Sequence, residues 1–294
     1  MPLRVGCRAD DADKHEFDIN FLLYHKGILY SAGDDGKVMA WAPDLKKLAE
    51  VQSNQCSVFC LAASDDTLYS CSNEGTIKSF ELKTLKEKEV ITKDDQAEYW
   101  RVSYSDGCLY SGDHEGYIKV WKDGKFYGSL NIAEPIKDMA VFKNLIFTVK
   151  DLDLVITDMK LEGEKLRYGT KNNFMGRAPV TTIGEKYFSF VSREGMDIIL
   201  HENNSDSHFK ALSKTQNAHE KIINALAGAS WDNKDIIFSG GWDKQLKKWT
   251  IVDNNLKEGG SCDVEIVINA IAIGDKGELY VGGADGHIVR IEVE

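Results

Sequence analysis

The sequence predicts an all-β fold: a single seven-bladed β-propeller of four-stranded antiparallel blades, closed by an N-terminal strand that joins the last blade. Two observations predict it. A twelve-residue pattern of strand, tight turn and strand recurs seven times along the 294 residues, at intervals of about forty residues. A further apolar strand precedes each copy at a nearly constant spacing, and a more polar strand follows most copies.

The repeated pattern is the central hairpin of each predicted blade. Its clearest copies are YSAGDDGKVMAW at 30–41, YSGDHEGYIKVW at 110–121 and FSGGWDKQLKKW at 238–249. Side chains alternate between apolar and polar along both arms, which is the period of a half-buried strand. Most copies place an acidic residue and a glycine between the arms, as in Glu115-Gly116. Glycine supplies the positive φ that a short hairpin turn needs.

The copies divide the chain into seven units of one domain, 1–294. We place the blades at residues 14–53, 54–94, 95–132, 133–172, 173–214, 215–262 and 263–294. The last unit ends directly after its third strand and therefore lacks an outer strand of its own. Residues 3–9, LRVGCRA, precede the first unit and have no other partner. We expect them to supply the missing strand, which leaves no long unpaired edge between the ends of the ring.

Composition and charge argue against several classes of function. The chain has 36 basic and 47 acidic residues, a net charge of −11, and no run of Lys or Arg, so nucleic acid is a poor ligand. There is neither a secretory signal at the start nor a run of eighteen apolar residues, so no membrane insertion is expected. The six cysteines form no CxxC pair, which favours reduced core residues and a cytoplasmic or nuclear location.

No motif for catalysis, a cofactor or a metal is found in the sequence. GxSxG, HExxH and GxxxxGK[ST] are all absent, so no catalytic, cofactor-binding or metal site is predicted. The alternative is a hydrolase-like propeller enzyme with a site near the central channel. His219, Ser239 and Asp243 have the residue types of a catalytic triad and invite that interpretation. His15 and His201 are predicted to be exposed.

The sixth unit carries the clearest likeness to a known family. His219, Ser239, Asp243 and Trp249 resemble the His–Ser–Asp–Trp tetrad of WD-repeat proteins, with Thr250 where the Asp of that name usually falls. The resemblance implies a structural role, in which hydrogen bonds inside one blade tie its outer loop to the turn beneath the Trp. It extends over the full length but is uneven, since the fourth unit has no Trp and the fifth unit ends in Leu200.

The resemblance also implies where partners bind. In this family they most often bind the face formed by the loops between blades and the turns inside the hairpins, which we name the top face. Large aromatic side chains beside cations are typical of an interface hot spot. The repeat places six such residues on the top face and outside the core: Phe59, Trp100, His114, Lys137, Arg193 and Trp242.

We therefore predict a non-catalytic protein-interaction scaffold or adaptor, a monomeric propeller within a complex. Its partner is a protein or peptide, and the cations of the top face favour an acidic or phosphorylated segment. A stoichiometric structural subunit of a larger complex is a further alternative. Such a subunit is recruited through the blade rims or through Trp231, which is predicted to lie on the opposite face in a long turn at 228–235.

Overall fold

Strands make up almost all of the regular structure of this chain. A computed structural model describes residues 3–163, 165–231 and 234–293. These residues form seven separate sheets, each of four antiparallel strands, and one 3₁₀ turn at Ala284–Gly286. The sheets stand side by side as the blades of a ring, which confirms the predicted fold class.

In blades one to six the four strands follow one another along the chain, the first strand beside the central channel and the fourth at the outer edge. The outer strand of blade seven is β1 (Leu3–Arg8). Blades one and two contain β2 (Ile19–His25), β3 (Ile28–Gly33), β4 (Lys37–Trp41) and β5 (Lys47–Gln52), then β6 (Val58–Ala63), β7 (Thr67–Ser72), β8 (Thr76–Glu81) and β9 (Glu87–Lys93). Blades three and four contain β10 (Tyr99–Ser105), β11 (Cys108–Asp113), β12 (Tyr117–Lys122) and β13 (Lys125–Asn131), then β14 (Asp138–Phe142), β15 (Leu145–Val149), β16 (Asp153–Glu162) and β17 (Lys165–Met175).

The second half of the ring repeats the arrangement. Blades five and six contain β18 (Arg177–Ile183), β19 (Tyr187–Val191), β20 (Ile198–Glu202) and β21 (Ala211–Thr215), then β22 (Ile223–Trp231), β23 (Lys234–Gly241), β24 (Gln245–Val252) and β25 (Asn255–Asp263). Blade seven contributes β26 (Ile268–Ile273), β27 (Leu279–Gly283) and β28 (Ile288–Val293). The inner strand of each blade packs against the inner strands of both neighbouring blades, so the inner strands surround a central channel.

The core consists of apolar clusters between neighbouring blades, one at each of the seven interfaces. Tyr30 of blade one and Leu61 of blade two share one cluster, and Ile183 of blade five and Trp249 of blade six share another. Because the apolar side chains of a blade are covered only by its neighbours, every blade depends on the two beside it for its hydrophobic stabilisation.

The N-terminal strand closes the ring. β1 pairs antiparallel with β28, with Leu3 opposite Val293 and Arg4 opposite Glu292, and an Arg4–Glu292 ion pair accompanies the second pairing. The Leu3 side chain is buried in the cluster between blades six and seven. The predicted closure by residues 3–9 is therefore confirmed.

Burial corrects the prediction for two histidines. His15 and His201 are not exposed but buried, with 0% and 3% of their surface accessible. The His201 ring lies 4.4 Å from the Phe174 ring and 5.1 Å from the Phe188 ring, centroid to centroid, and its Nδ1 donates a 2.8 Å hydrogen bond to the Phe209 carbonyl. Burial lowers the pKa of His201, and the Phe209 carbonyl opposes that shift only in part. Blade five has no Trp, and these aromatic rings pack at its interface with blade four.

Two strand boundaries also differ from the prediction. The expected turn at 228–235 is a strand pair, because β22 continues to Trp231 and β23 begins at Lys234; residues 232 and 233 lie outside the described residues. The Trp231 ring packs edge-on against Phe238, with centroids 5.8 Å apart, so it is half-buried. In blade four, β17 runs to Met175, beyond the predicted boundary at residue 172, because it stays paired with β16 as far as Asp153.

Deleting residues 1–10 should abolish cooperative unfolding or cause aggregation. The deletion removes β1, exposes the edge of β28 and uncovers the cluster that Leu3 helps to bury. Thermal unfolding followed by circular dichroism checks this expectation. An unchanged melting temperature would show that the ring does not need β1.

Acidification should destabilise the fold through its buried histidines. Burial lowers the pKa of His201 and of His219, so both favour the neutral form in the folded chain. Their contribution to stability is present above about pH 6.5, where unfolded histidine is neutral, and is lost as the pH falls below that value. Urea unfolding at a series of pH values should show that the free energy of unfolding falls less steeply with decreasing pH for His201→Phe than for the parent. The control His208→Gln, at an exposed histidine, should show the same pH dependence of the free energy of unfolding as the parent. Equal pH dependences in all three proteins would contradict the role of buried, neutral His201.

Candidate functional site

The residues that resemble a catalytic triad form a closed hydrogen-bond chain inside blade six. His219 Nδ1 lies 2.9 Å from Asp243 Oδ2, and His219 Nε2 lies 2.6 Å from Ser239 Oγ. Trp249 Nε1 donates to the same Ser239 Oγ at 2.8 Å. This pattern fits a neutral imidazole that donates from Nδ1 to Asp243 and accepts the Ser239 hydroxyl proton at Nε2. Burial lowers the pKa of His219 despite the Asp243 carboxylate, which favours the same neutral form.

Burial gives this chain of side chains a structural role. Ser239 is completely buried and His219 almost so, and the hydroxyl of Ser239 is engaged on both sides by Trp249 and His219. A nucleophile needs an open approach for the substrate, and Ser239 has none. The bonds tie the loop before β22 to the turn between β23 and β24.

Blade one contains a second tetrad that the sequence analysis missed. His15 Nδ1 lies 2.9 Å from Asp35 Oδ1, His15 Nε2 lies 2.7 Å from Ser31 Oγ, and Trp41 Nε1 donates to Ser31 Oγ at 2.9 Å. The spacing in the sequence indicated this tetrad, because His15 precedes Ile19 by the same four residues that separate His219 from Ile223. The charged neighbours Lys14 and Glu16 make the segment look exposed.

Three of the predicted top-face residues form one group, which we name the aromatic cluster: Phe59, Trp100 and Lys137. The Phe59 and Trp100 rings meet edge to face, with centroids 6.4 Å apart. Lys137 Nζ stands 4.4 Å from the Trp100 ring centroid, a cation–π contact between blades three and four. All three side chains are half-buried, and Phe59 packs in part against the core between blades two and three.

A network around Glu98 joins His114 to the aromatic cluster. Trp100 Nε1 donates to Glu98 Oε2 at 3.0 Å, and the Glu98 amide donates to His114 Nδ1 at 3.0 Å. The His114 amide donates in turn to the Glu98 carbonyl at 3.0 Å. His114 therefore fixes the loop that presents Trp100, and the His114 ring is half-buried against it.

The remaining two predicted residues lie on the top face away from the aromatic cluster. Arg193 is exposed in the turn of blade five, with Nη2 3.8 Å from Asp153 Oδ1 of blade four. Trp242 is exposed in the turn of blade six, and its Nε1 donates to Asn224 Oδ1 at 3.1 Å. The six residues therefore share the face but do not form one contact group.

The mouth of the central channel holds an ion pair that sequence reasoning overlooked. Arg101 Nε donates to Asp138 Oδ1 at 2.8 Å, and the Val180 amide donates to Asp138 Oδ2 at 2.8 Å, so Asp138 joins blades three, four and five. The attraction of Asp138 raises the pKa of Arg101 even though burial works to lower it. Asn224 donates to Asn269 across the next two blades of the same channel at 3.3 Å.

Within the described ranges, no three His, Cys, Asp or Glu side chains are grouped to hold a metal ion. In the same residues no helix has the length and apolar character that crossing a membrane requires.

Comparison with known proteins identifies the architecture. The family model described as "WD domain, G-beta repeat" matches residues 210–250, which contain the blade-six tetrad. Residues 210–250 therefore match a WD repeat, and the described chain as a whole has a seven-bladed β-propeller fold. A second family model, "strictosidine synthase-like, N-terminal", matches only residues 270–291 in blade seven. No curated protein sequence matches significantly.

Solved structures of low sequence identity share the complete fold. The WD40 beta propeller domain of Doa1 is 18% identical, with a TM-score of 0.77, and the alignment covers 99% of this chain and 97% of that one. U3-55K and the RRP9 WD40 repeats are each 15% identical, with TM-scores of 0.81 and 0.79 and coverage of 99% of this chain and 98% of theirs. WD-repeat propellers are typically protein-interaction scaffolds, which agrees with the coarse functional prediction.

Trp249→Ala should be among the most destabilising single substitutions. It deletes a buried indole and leaves Ser239 without its donor, at a cost of about 3–5 kcal/mol. Trp100→Ala should cost far less, because that ring is half-buried on the top face. Chemical denaturation of both variants provides the measurement, and equal losses in the free energy of unfolding would mean that Trp100 belongs to the core.

Proposed function

We propose that this propeller is a non-catalytic scaffold or adaptor that holds a protein or peptide on its top face. The observation that carries the proposal is the presence of two tryptophans on the top face and outside the core clusters, Trp100 near the start of β10 and Trp242 in the hairpin turn of blade six. Their indole N–H groups are fixed by Glu98 and Asn224, so both rings are presented in set orientations. Aromatic groups held in place before binding lose little entropy on binding and dominate interface energies.

The channel supports binding more than catalysis. Arg101 and Asp138 neutralise each other, and Asp138 accepts further hydrogen bonds from the amides of Met139 and Val180. A general acid or base needs a lone pair or proton available to the substrate, and these side chains are occupied in holding blades together. This arrangement favours the scaffold over the enzyme alternative.

We further propose that the ligand of the top face is an acidic or phosphorylated segment. Lys137 Nζ is 3.9 Å from Asp151 and Arg193 Nη2 is 3.8 Å from Asp153, and all four side chains are partly exposed. Exposed ion pairs at such separations are worth about 0–1 kcal/mol. A carboxylate or phosphate of a partner can therefore replace Asp151 or Asp153 at little cost and gain shorter, charge-assisted hydrogen bonds.

The surroundings of the cysteines support a reducing compartment, and we place the protein in the cytoplasm or the nucleus. All six cysteines are free thiols in the described chain, and burial raises the pKa of the Cys60 thiol to about 11, which makes it unreactive. We further propose that the propeller acts as a monomer within a complex, because its closed ring uses β1 internally and leaves partner binding to loops.

A capture experiment with paired variants tests the proposal. The top-face variant is Trp100→Ala with Lys137→Glu, and the matched control is Phe126→Ala with Lys125→Glu, two exposed residues at the hairpin turn of blade three on the opposite face. Partners recovered from the source cells by the parent and quantified by mass spectrometry should fall by about tenfold or more with the first variant. The control should retain them.

Trp231→Ala completes the comparison. Loss of partners with Trp231→Ala alone, with the fold intact by circular dichroism, would place binding on the opposite face. Full recovery by the top-face variant would contradict a role for the aromatic cluster.

A further inference from the structure

Four of the large apolar side chains that the described residues leave exposed lie on one sector of the top face. Met175 is 66% exposed, Trp242 55%, Leu152 43% and Ile222 38%. Three of them were not predicted from sequence as surface anchors. Together with the cations around them they form what we name the 4–6 patch: Leu152, Met175, Arg177, Lys221, Ile222, Trp242 and Lys244.

Contacts make the 4–6 patch continuous from blade four to blade six. The Gly176 amide, next to Met175, donates to the Leu152 carbonyl at 2.9 Å. In blade five, a Cβ placed on Gly195 would lie 3.3 Å from Ile222 Cγ1 and 3.4 Å from Arg177 Nη1, so both side chains cover that turn.

Trp242 extends the patch into blade six. Its amide donates to the Ile222 carbonyl at 3.0 Å, which places the two residues side by side. With Nε1 bonded to Asn224, the ring is fixed while more than half of its surface remains accessible. Clustered apolar groups that the fold does not cover are characteristic of interaction sites.

The charges within the patch are unpaired cations. Among the described residues, Arg177, Lys221 and Lys244 have no carboxylate within ion-pair distance. The other acidic groups of these turns are engaged, because Asp153 contacts Arg193, Asp197 pairs with Lys214 at 2.8 Å and Asp243 belongs to the tetrad. Among the described residues, Glu194, Glu220 and Asp263 remain nearby as exposed carboxylates without an ion pair; Asp263 precedes Val264, whose amide donates to the Lys244 carbonyl at 3.0 Å.

The adjoining sector of the top face, in blades seven and one, has the reverse charge. Blades seven and one expose carboxylates with Phe17 as their one exposed large apolar side chain in the described loops. These carboxylates are Asp10, Asp11, Glu16, Asp34 and Asp285. On a chain of net charge −11, an acidic ligand is repelled there and attracted to the 4–6 patch, whereas a basic ligand is attracted the other way.

We propose that the 4–6 patch docks a linear protein segment in which acidic residues alternate or mix with large apolar ones. This inference rests on the proposed scaffold function of the top face, and it adds to the aromatic cluster a second, separate anchor at Trp242, which a short peptide can occupy by itself. The apolar side chains of the segment cover Trp242, Ile222 and Met175, and its carboxylates pair with Lys221, Lys244 and Arg177.

Selection from a random-peptide display library on the immobilised whole chain tests this inference. Three further proteins are used alongside the parent: a patch variant, Trp242→Ala with Lys221→Glu; the aromatic-cluster variant, Trp100→Ala with Lys137→Glu; and the matched control, Phe126→Ala with Lys125→Glu. Each variant carries one lost aromatic ring and one reversed charge. Circular dichroism confirms that each is folded before selection.

We expect peptides rich in Asp and Glu with Leu, Met, Phe or Trp to be enriched on the parent, on the aromatic-cluster variant and on the control. One of these peptides, synthesised with a fluorophore, should bind the patch variant about tenfold or more weakly. Its affinity for the parent should fall with added salt, since charges are screened within about 10 Å at 0.1 M ionic strength.

Each of the other outcomes would overturn a particular part of this inference. Enrichment lost only on the aromatic-cluster variant would overturn the patch and leave the proposed function standing. Enrichment of basic peptides, or equal enrichment on all four proteins, would overturn the patch as an acid-binding site. No enrichment on the parent would overturn a linear ligand for the patch, and partner capture would still decide the scaffold proposal separately.

Discussion

The pairing of β1 with β28 is the constraint on which the whole molecule depends. Each blade is a sheet whose two faces are covered only by the neighbouring blades, so the hydrophobic stabilisation of the chain exists only in a complete ring. The ends of the chain meet inside one sheet, and Leu3 is buried in the cluster between blades six and seven. Closure also removes the strand edge that an open ring would present to other chains. The loops and turns of the top face are therefore held by a rigid frame, although each of them is short and irregular in sequence.

Polar contacts between the loop before a blade and the turn inside its hairpin fix the top of the blade, and these contacts differ from blade to blade. Blades one and six use the full tetrad, in which a buried His bonds the turn Asp and the strand Ser. Blade two replaces the His with Asn54, whose Nδ2 donates to Thr76 at 2.7 Å and Glu74 at 3.1 Å. The positions that correspond in blades four and seven are the apolar residues Ile132 and Val264. The exposed hydrophobic turn at Leu152 belongs to blade four, which lacks the tetrad, whereas Trp242 sits directly beside Asp243 in the best tetrad. Exposed apolar side chains thus occur both in a turn without the tetrad and in a turn that the tetrad fixes.

Repeat spacing was sufficient to predict the seven blades, the four strands of each and the closing strand, because those features follow from local periodicity and from the turn glycines. Gly75 shows why: its φ is +68°, and a Cβ there would collide with the Asp94 carbonyl oxygen. The aromatic cluster was also predictable in part, because Phe59, Trp100 and Lys137 occupy one template position in successive blades. The Arg101–Asp138 pair was not, since its residues are 37 apart and meet only because blades three and four curve around the channel. His15 was misjudged because charged neighbours in sequence say little about burial when a loop folds under a turn.

The division of the top face into two charged sectors could not be read from sequence for a related reason. The top-face turns and loops of blades five and six contain both signs side by side, as in Arg193-Glu194, Glu220-Lys221 and Asp243-Lys244, so the count per blade does not reveal which charges remain unpaired. Pairing is decided between blades, as when Lys137 of blade four stands over Trp100 of blade three or Arg193 of blade five reaches Asp153 of blade four. Those contacts engage Lys137 and Arg193 in weak, exposed pairs. Among the described residues they leave Arg177, Lys221 and Lys244 without a carboxylate in ion-pair distance, and none of these three has a distinctive sequence context. The distribution of unpaired charge on this propeller is thus decided between neighbouring blades, and the 4–6 patch is a part of the top face where exposed apolar side chains and unpaired cations coincide.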